Sequence, residues 1–339
     1  MKSLKIAAFA ALTVLVFAVP AQSARRDGLN NNILVEDHDD VFIFPQKAHS
    51  DHNANRVRMD HSANGTAATI FSKSGKGAWG LGIAQGDAEH AVIDAFYSMG
   101  DLGFRLELAS DAQKTDGEGA SSMGLGIAAG YAIKGVGDAA LHFRMNNTDD
   151  GADNTTSGMV VAVAFRGYKA KGAGDADLGY TFTGGFSSNS NTPAMGDSQD
   201  SSSINVEAGV GPVWRLGKST VAVHATVGFN QNTDAAENSD STITVPGVNV
   251  AFETPLNDWV DFRGGAGYGF ALESTTPKEG DPTSAQSGST TAAMGLSAHW
   301  GKLNFDVALN RDFLLNGPYM LTGNATAGWA SNVAATYKW

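Results

Sequence analysis

Four of the eight histidines in this chain alternate with aspartates in one short stretch near its beginning. Imidazole and carboxylate together are donors that suit a transition metal, and His49-Ser-Asp51-His52 is dense in such groups. No closed tetrahedral arrangement with helix or hairpin spacing is present. The stretch therefore favours a solvated acidic surface loop, and metal binding by residues 37–61 stays open. The residues are His38, His49, His52 and His61 with Asp37, Asp39, Asp40, Asp51 and Asp60.

Two other patterns could carry chemistry. Asp149-Asp-Gly-Ala-Asp-Asn154 offers carboxylate oxygens to calcium, but it departs from the EF-hand spacing and has no terminal Glu. Ser297 and His299 share one face of a predicted strand, yet a serine nucleophile also needs a third group that orients its base. We therefore expect no catalytic residues, no enzymatic activity, no cofactor and no resident metal.

A third set consists of charged residues that all fall on the polar parity of alternating runs. Successive residues of a strand point to opposite faces. In a membrane barrel the lipid face excludes charge, at a cost of roughly 2–4 kcal/mol for Arg or Lys at mid-bilayer. These charges should therefore line the lumen, where they bias ion selectivity or pair across strands. The predicted pore-lining residues are Arg105, Glu107, Arg144, Arg166, Glu207, Arg215, Asp261, Arg263 and Asp306.

The elements that would position these side chains are strands separated by two kinds of connection. Tight glycine turns, as at 74–76, 99–101, 216–218 and 300–302, alternate with long polar segments. Outer-membrane barrels have this asymmetry between short periplasmic turns and long extracellular loops, whereas a soluble sandwich has no reason for it. The predicted long loops are 86–90, 110–120, 147–156, 187–202, 231–240, 274–289 and 311–325.

The strand count follows from these runs. Fifteen strands can be placed, and single-chain bacterial barrels have an even number. The missing strand is assigned to 32–44, where Val41-Phe-Ile-Phe44 is strand-prone, followed by a loop at 46–65. This predicts an all-β, transmembrane, antiparallel up-and-down barrel of about sixteen strands, or fourteen if 32–60 forms a plug. The parity reversal at Pro246-Gly247 predicts a β-bulge.

Both ends of the chain fit this fold. Residues 1–23 carry Lys2 and Lys5, an apolar run and small residues at the end, the layout of a secretory signal peptide. Residues 24–339 would form the barrel, with 24–65 as an N-terminal strand and loop or a plug. The last residues alternate and end on Trp339, which suits a closing strand at an aromatic girdle. We expect Trp79, Tyr97, Trp214, Phe305 and Tyr337 to face lipid.

Composition limits the classes of partner. The chain has no cysteine, so neither a disulfide nor a lipidated cysteine is available. Without the two signal-peptide lysines it has 21 basic and 35 acidic residues, a formal charge of −14. Nucleic acid is an unfavourable partner, because phosphate binding needs a basic stripe.

The signal peptide, alternating strands, loop asymmetry and aromatic C-terminus together resemble Gram-negative outer-membrane barrels of porin type. The resemblance implies an outer-membrane location, contact with lipid and lipopolysaccharide, and recognition of the C-terminal strand by the barrel assembly machinery. It also implies passive diffusion of small hydrophilic solutes, with homo-oligomers in some members. The alternatives are a plugged barrel that transports apolar solutes and a structural or surface-interaction barrel without transport.

Overall fold

Sixteen antiparallel strands close into a barrel in the computed structural model of the chain. Each strand pairs with its neighbours in sequence, and β16 pairs with β1. The predicted all-β barrel and its strand number are confirmed. The strands are β1 Arg56–Ser62, β2 Gly65–Ser74, β3 Gly77–Gln85, β4 His90–Met99, β5 Leu102–Thr115, β6 Glu118–Ile133, β7 Gly137–Asp149, β8 Thr155–Lys169, β9 Asp177–Thr192, β10 Gln199–Leu216, β11 Ser219–Thr233, β12 Ser239–Pro255, β13 Val260–Thr276, β14 Thr283–Trp300, β15 Leu303–Leu309 and β16 Ala330–Lys338.

The structure describes only part of the chain. The predicted signal peptide at 1–23 and the predicted loop at 311–325 lie outside the described residues, as does nearly all of the predicted loop at 86–90. The described ranges are 24–50, 55–62, 65–85, 90–115, 118–150, 154–169, 176–193, 198–236, 238–309 and 330–339.

Two-residue turns close four of the hairpins at one end of the barrel, which we call the short-turn end. Gly75, Gly100, Gly217 and Gly301 begin these turns with φ between 59° and 64°. A positive φ at the first central residue matches the twist of hairpin strands, and only glycine adopts it without strain. The chain ends at this same end, where the Trp339 amide donates to the Asn55 carbonyl at 3.0 Å.

At the opposite end the strands are longer than predicted. Residues 110–120, expected as a loop, continue the β5–β6 ladder as far as the Thr115–Glu118 pair. Similarly, β9 and β10 pair out to Asn191 and Gln199, and β13 and β14 pair out to Thr275 and Thr283. The loop predictions for 110–120, 187–202 and 274–289 are thus largely wrong. Strands that rise above a lipid layer can be polar on both faces, so alternation fails to mark them.

The outer face of the barrel carries the large apolar side chains. Leu81, Ile83, Leu106 and Leu108 are between 41% and 53% exposed, while their neighbours on the opposite parity are buried or small. Aromatic side chains, 44% to 83% exposed, gather near the short-turn end: Trp79, Tyr97, Trp259, Trp300, Tyr337 and Trp339. Among the described residues, no helix has the length and apolarity needed to span a membrane.

The predicted lipid-facing aromatics lie on this outer face. Trp79, Tyr97, Phe305 and Tyr337 are strongly exposed there, and Trp214 is half-buried on the outward parity of β10. The bulge prediction is also confirmed, since the β12–β13 register shifts between Thr244 and Gly247.

The prediction that 32–44 is the first strand is wrong. β1 is Arg56–Ser62, and the residues before it lie inside the barrel. Residues 24–50, which we call the luminal segment, contain a short helix α1 (Ala24–Gly28), a single-turn helix α2 (Asp40–Ile43) and a 3₁₀ turn (Pro45–His49). Val41 and Phe44 are both fully buried. A strand-prone apolar run buried on all sides needs no period-two pattern, so propensity alone misassigned it.

Closure of the barrel generates a testable prediction. Val57 pairs with Tyr337 and Arg56 with Lys338, so the end of β16 completes the ladder with β1. Deleting Tyr337-Lys-Trp339 should leave two strand ends unpaired, and we expect loss of the heat-modifiable band on cold gels. Trp300→Ala, which removes an exposed aromatic outside this pairing, is the control and should keep that band. A folded, heat-modifiable deletion variant would contradict the closing role of these residues.

Candidate functional site: the luminal segment and its ion pairs

The luminal segment starts against the last strands of the barrel. Ala24 is fully buried beside Ala308 of β15 and Ala334 of β16. The backbone of Gly28 approaches β14 so closely that a Cβ there would lie 3.1 Å from Cα of Gly295. Small residues on both sides permit this approach, because any larger side chain would push the backbones apart.

The middle of the segment crosses the opposite wall. Leu34 packs against Val213 of β10, Ala222 of β11 and Ala251 of β12. Its carbonyl accepts a hydrogen bond of 2.8 Å from the Tyr168 hydroxyl on β8. A Cβ at Gly265 of β13 would lie 2.6 Å from Asn30, so this part of the wall also fits the segment closely.

The end of the segment returns along the first strands. Phe42 meets the ring of Phe96 edge-on, with centroids 5.3 Å apart, in a cluster that includes Phe71 of β2. Phe44 packs on Ala140 and Ala164. Further contacts join Asp39 to β1, the 3₁₀ turn to β3, Gln46 to β5 and β6, Lys47 to β7 and Leu34 to β9. With all of these contacts, the luminal segment touches every one of the sixteen strands.

Ion pairs hold the centre of the segment to the wall. Asp40, 1% exposed, accepts hydrogen bonds from Arg26 within the segment and from Arg166 of β8, the latter at 2.7 Å. Arg166 is fully buried, donates to the Ile33 carbonyl at 3.1 Å and lies 5.0 Å from the centre of the Phe44 ring. Burial disfavours a charged carboxyl, but Arg166 and Arg26 outweigh it and lower the pKa of Asp40. Asp40 is therefore an ionised bridge between two guanidinium groups.

A second group ties α1 to the strands β12 to β15. Arg25 pairs with Glu253 at 2.6 Å, and the same carboxylate pairs with Arg263 at 2.6 Å. Arg263 also reaches Asp306 at 2.6 Å, and Asp306 accepts a 2.7 Å bond from Ser297. The result is a chain of alternating charges across four strands, in which each carboxylate is shared between donors.

Two further pairs anchor the segment near the short-turn end. Arg58 of β1 donates to Asp39 at 3.1 Å and also pairs with Asp60. Lys47 lies 2.8 Å from Asp138 of β7, and the side-chain amide of Gln46 donates to that same carboxylate at 3.1 Å.

A fifth charged group lies above the Phe42 ring. Arg105 pairs with Asp94 at 2.7 Å and with Glu107 at 2.6 Å, and it donates to the Phe42 carbonyl at 3.3 Å. Arg144 pairs with Glu107 from the other side. Here, too, a carboxylate is shared between two guanidinium groups.

The structure brings six of the nine predicted pore-lining residues into these groups: Arg105, Glu107, Arg144, Arg166, Arg263 and Asp306. Of the other three, Arg215 pairs with Asp177, and Asp261 lies 2.6 Å from His299 near the short-turn end. Within the described part of the chain, Glu207 makes no ion pair. An effect of these residues on passing ions stays a prediction.

The expectation of a solvated surface loop at 37–61 is wrong at both of its ends, since residues 56–61 lie in β1, where Asp60 is buried and pairs with Arg58. Asp37, Asp39 and Asp40 are each at most 5% exposed and pair with arginines. The sequence does contain one usable signal, since the basic pair Arg25 and Arg26 lies a short distance before these three carboxylates. Their wall partners are distant in sequence, so only the fold shows them. Among the described residues, no group of three or more His, Asp or Glu side chains could hold a metal ion.

Sequence comparison yields no match to a protein-family model or to a curated protein. Among solved structures, a bacterial polysaccharide outer membrane secretin is similar over 85% of this chain and 99% of its own, at 13% identity and a TM-score of 0.44. An anion-selective porin from Comamonas acidovorans covers 84% and 97%, at 9% identity and a TM-score of 0.31. The siderophore receptor PirA from Pseudomonas aeruginosa covers 84% and 79%, at 8% identity and 0.30. These likenesses concern the fold alone.

The ion pairs of Asp40 lead to a testable prediction about what keeps the luminal segment docked. Asp40→Asn should leave Arg26 and Arg166 buried with less compensation, at a cost of about 3–5 kcal/mol. Because each 1.4 kcal/mol is about tenfold, the undocked population should rise a hundredfold or more. The cysteine-free chain allows this to be measured as the thiol-labelling rate of a single Ala48→Cys, a fully buried site.

Glu36→Gln is the matched control, because the Glu36–Lys47 pair is long, at 3.4 Å, and lies at a partly exposed position. Exposed pairs are worth about 0–1 kcal/mol, so labelling should change only a few-fold. Equal labelling rates in Asp40→Asn and Glu36→Gln would show that Asp40 does not hold the segment.

Two groups in the segment give its docking opposite pH dependences. Burial raises the pKa of Asp27 to about 6 and lowers the pKa of His38 well below 6.5. Docking favours the protonated carboxyl of Asp27, so the stabilisation of docking by Asp27 is lost as the pH rises through 6. Docking also favours the neutral imidazole of His38, so the stabilisation by His38 is lost as the pH falls below 6.5.

Asp27→Asn should remove only the first contribution. We therefore expect Ala48→Cys protection to rise between pH 5 and 7 in Asp27→Asn, and to stay flatter in the parent. His38→Gln should show the reverse slope. Labelling is normalised at each pH to the denatured protein. Identical pH profiles in the parent and Asp27→Asn would exclude the assignment to Asp27.

Proposed function

We propose that this protein is an outer-membrane channel for small hydrophilic solutes, and that its luminal segment closes the channel at rest. The membrane location is supported by the outer face. Apolar side chains such as Ile83, Phe104, Leu108 and Ile127 are 47% to 53% exposed there. A continuous apolar surface of this kind is unfavourable in water and suits lipid, with the aromatic ring at one interface.

The observation that carries the proposal is the contact of one segment with all sixteen strands. A segment that meets only one side of a barrel leaves a passage beside it. This one meets the whole circumference, through buried ion pairs at Asp40, Glu253 and Asp138 and through apolar contacts at Leu34 and Phe42. We therefore infer that passage of a solute requires the segment to move.

The class of solute follows from the wall beyond the segment. We call the end of the barrel opposite the short-turn end the long-strand end, and the lumen between it and the luminal segment the outer lumen. The inward-facing residues of the strands there are mostly hydroxyl, amide and glycine residues. Thr183, Asn205, Thr226 and Ser289 line cavities there, and Glu207 shares their parity. Such groups replace the hydration of a polar solute, whereas an apolar solute would gain little from them.

Closure and opening are then two states of one equilibrium. If the undocked state is 1% populated, a change of about 5.5 kcal/mol is needed to make it 99% populated. Loss of one or two buried ion pairs supplies a change of this size. Passive diffusion would thus depend on a trigger that weakens the segment, such as a partner, a ligand or mechanical force.

Planar-bilayer conductance distinguishes the functions. We expect purified parent protein to conduct weakly, deletion of residues 24–50 to give stable ohmic conductance, and Asp40→Asn to open intermittently. Glu36→Gln should behave like the parent. Full conductance in the parent would show that the segment does not close the lumen. Absence of conductance in every variant, with all of them heat-modifiable, would favour a structural barrel without transport.

Selectivity can be tested in the open variant. Glu207 lines the outer lumen without an ion pair among the described residues. In the deletion background, Glu207→Lys should shift the reversal potential towards anions because it changes the charge at an uncompensated position. Glu207→Gln should shift it about half as far. An unchanged reversal potential in both variants would mean that this face does not border the conducting path.

A further inference from the structure

A cavity of about 260 Å³ lies between the luminal segment and the inner wall formed by β5 to β10. The segment contributes Ile33, Phe42 and Ile43 to it. The facing wall contributes Val160 and Ala162 of β8. This part of the cavity is apolar on both sides, and it exists only while the segment is docked.

One rim of the cavity is charged but balanced. Arg105 and Arg144 share Glu107, and Arg105 also pairs with Asp94, so two cations face two anions. A ligand with a net charge would upset this balance beside charged side chains that are themselves largely buried. The rim therefore favours an uncharged head group that accepts or donates hydrogen bonds.

The other rim is neutral and polar. Thr183 and Asn205 border the cavity from β9 and β10. In the β9–β10 ladder Thr183 lies opposite Glu207 and Asn205 lies opposite Gly185, so the two residues are not directly opposite each other. Their hydroxyl and amide groups can donate or accept, which again suits an uncharged polar substituent. The imidazole of His142 is held by the Ile43 carbonyl at 2.8 Å and so belongs to the wall.

We propose that this cavity binds a small, neutral, amphipathic molecule with an apolar part the size of one aromatic ring and a single hydrogen-bonding group. A dry apolar cavity of about 150 Å³ is sufficient for benzene. The larger volume here leaves room for a polar substituent directed at the rim. The Phe42 ring, which lies against the cavity, offers an aromatic partner for the ligand ring.

Binding at this site is linked to closure. Because Ile33, Phe42 and Ile43 leave the cavity when the segment undocks, a ligand that needs them binds only the docked state. Such a ligand stabilises that state by mass action, and the stabilisation grows with the logarithm of the ligand concentration once that concentration exceeds Kd. The molecule is thus a ligand that keeps the barrel closed.

The test uses benzyl alcohol, benzoate and benzylammonium, which share a ring and differ in head-group charge. Isoleucine δ1-methyl NMR of the full mature chain in micelles gives two probes at the site from the luminal segment, Ile33 and Ile43. Ile93, 46% exposed on the outer face, reports ligand in the detergent. We expect saturable shifts at Ile33 and Ile43 with benzyl alcohol, and at least tenfold weaker binding of both ions.

Ala162→Leu fills the cavity from the wall and should abolish the saturable shifts, whereas Ala95→Leu, on the outer face, should not. Magnetisation transfer from the Ile33 and Ile43 methyl groups to the ligand ring gives a readout that needs no variant. Benzyl alcohol should also slow labelling of Ala48→Cys.

Three results would overturn the proposal. The first is a set of shifts at Ile33 and Ile43 that rises linearly in parallel with Ile93, which indicates partition into detergent. The second is equal binding to a heat-modifiable Ala162→Leu protein. The third is tighter binding of benzoate or benzylammonium than of benzyl alcohol. None of these results depends on conductance, so failure here leaves the closed-channel proposal to its own test.

Discussion

The interaction on which the interior depends is the pairing of buried guanidinium and carboxylate groups between the luminal segment and the wall. A charge taken out of water is costly unless an opposite charge and hydrogen bonds replace its hydration. Arg166, fully buried, has its close carboxylate partner in Asp40 of the segment, at 2.7 Å, and the wall residue Asp138 lies farther away, at 3.7 Å. Glu253 of the wall is likewise shared between Arg25 of the segment and Arg263 of the wall. Removing the segment would leave the wall with charges in need of water, so wall and segment are complementary halves of one interior.

This dependence explains the steric character of the wall as well as its charges. The segment can bring its charges to the arginines only if its backbone approaches the strands closely. Glycine at Gly265 and Gly295, and alanine at Ala308 and Ala334, provide that approach. Most of the larger apolar side chains of the strands lie on the outer face, as Leu106 and Ile127 do, and Phe71, Phe96 and Val213 are inward exceptions that pack on the segment. Alternation along each strand therefore separates bulk from small and charged groups, and both faces impose it.

The same physics decides how much of the fold can be inferred from sequence. Lipid requires apolar side chains and the lumen accepts polar or small ones, so neighbouring residues of a strand alternate in type. This alternation marks runs such as 219–230 as strands, and in other strands it predicts that Arg105 and Arg263 point inward. Where only one kind of environment surrounds the residues, the alternation is lost. The long-strand ends are polar on both faces, so residues 110–120 were predicted as loop although they pair across β5 and β6. The luminal segment is surrounded by wall, and its burial leaves no period at all.

The ion-pair partners cannot be predicted from the sequence, for a different reason. Asp40 and Arg166 are separated by 126 positions, and nothing in either neighbourhood specifies the other. Parity predicted that the wall arginines point inward, but it could not say that Asp37, Asp39 and Asp40 meet them. A run of aspartates is usually solvated, and only a closed fold makes it an interior. The cavity beside Phe42 is likewise a product of docking and has no counterpart in either strand or segment alone.

The order in which the chain can assemble follows from the reach of the luminal segment. Its contacts include Ala334 and Asn332 on the last strand, as well as Arg58 on the first. Although it precedes β1 in the chain, it cannot complete its interactions until β16 has paired with β1. It follows that the full set of contacts of the segment can form only in a closed barrel, and that the ion pairs between segment and wall depend on closure. A change that opens the seam between β1 and β16 should therefore also weaken the docking of the segment.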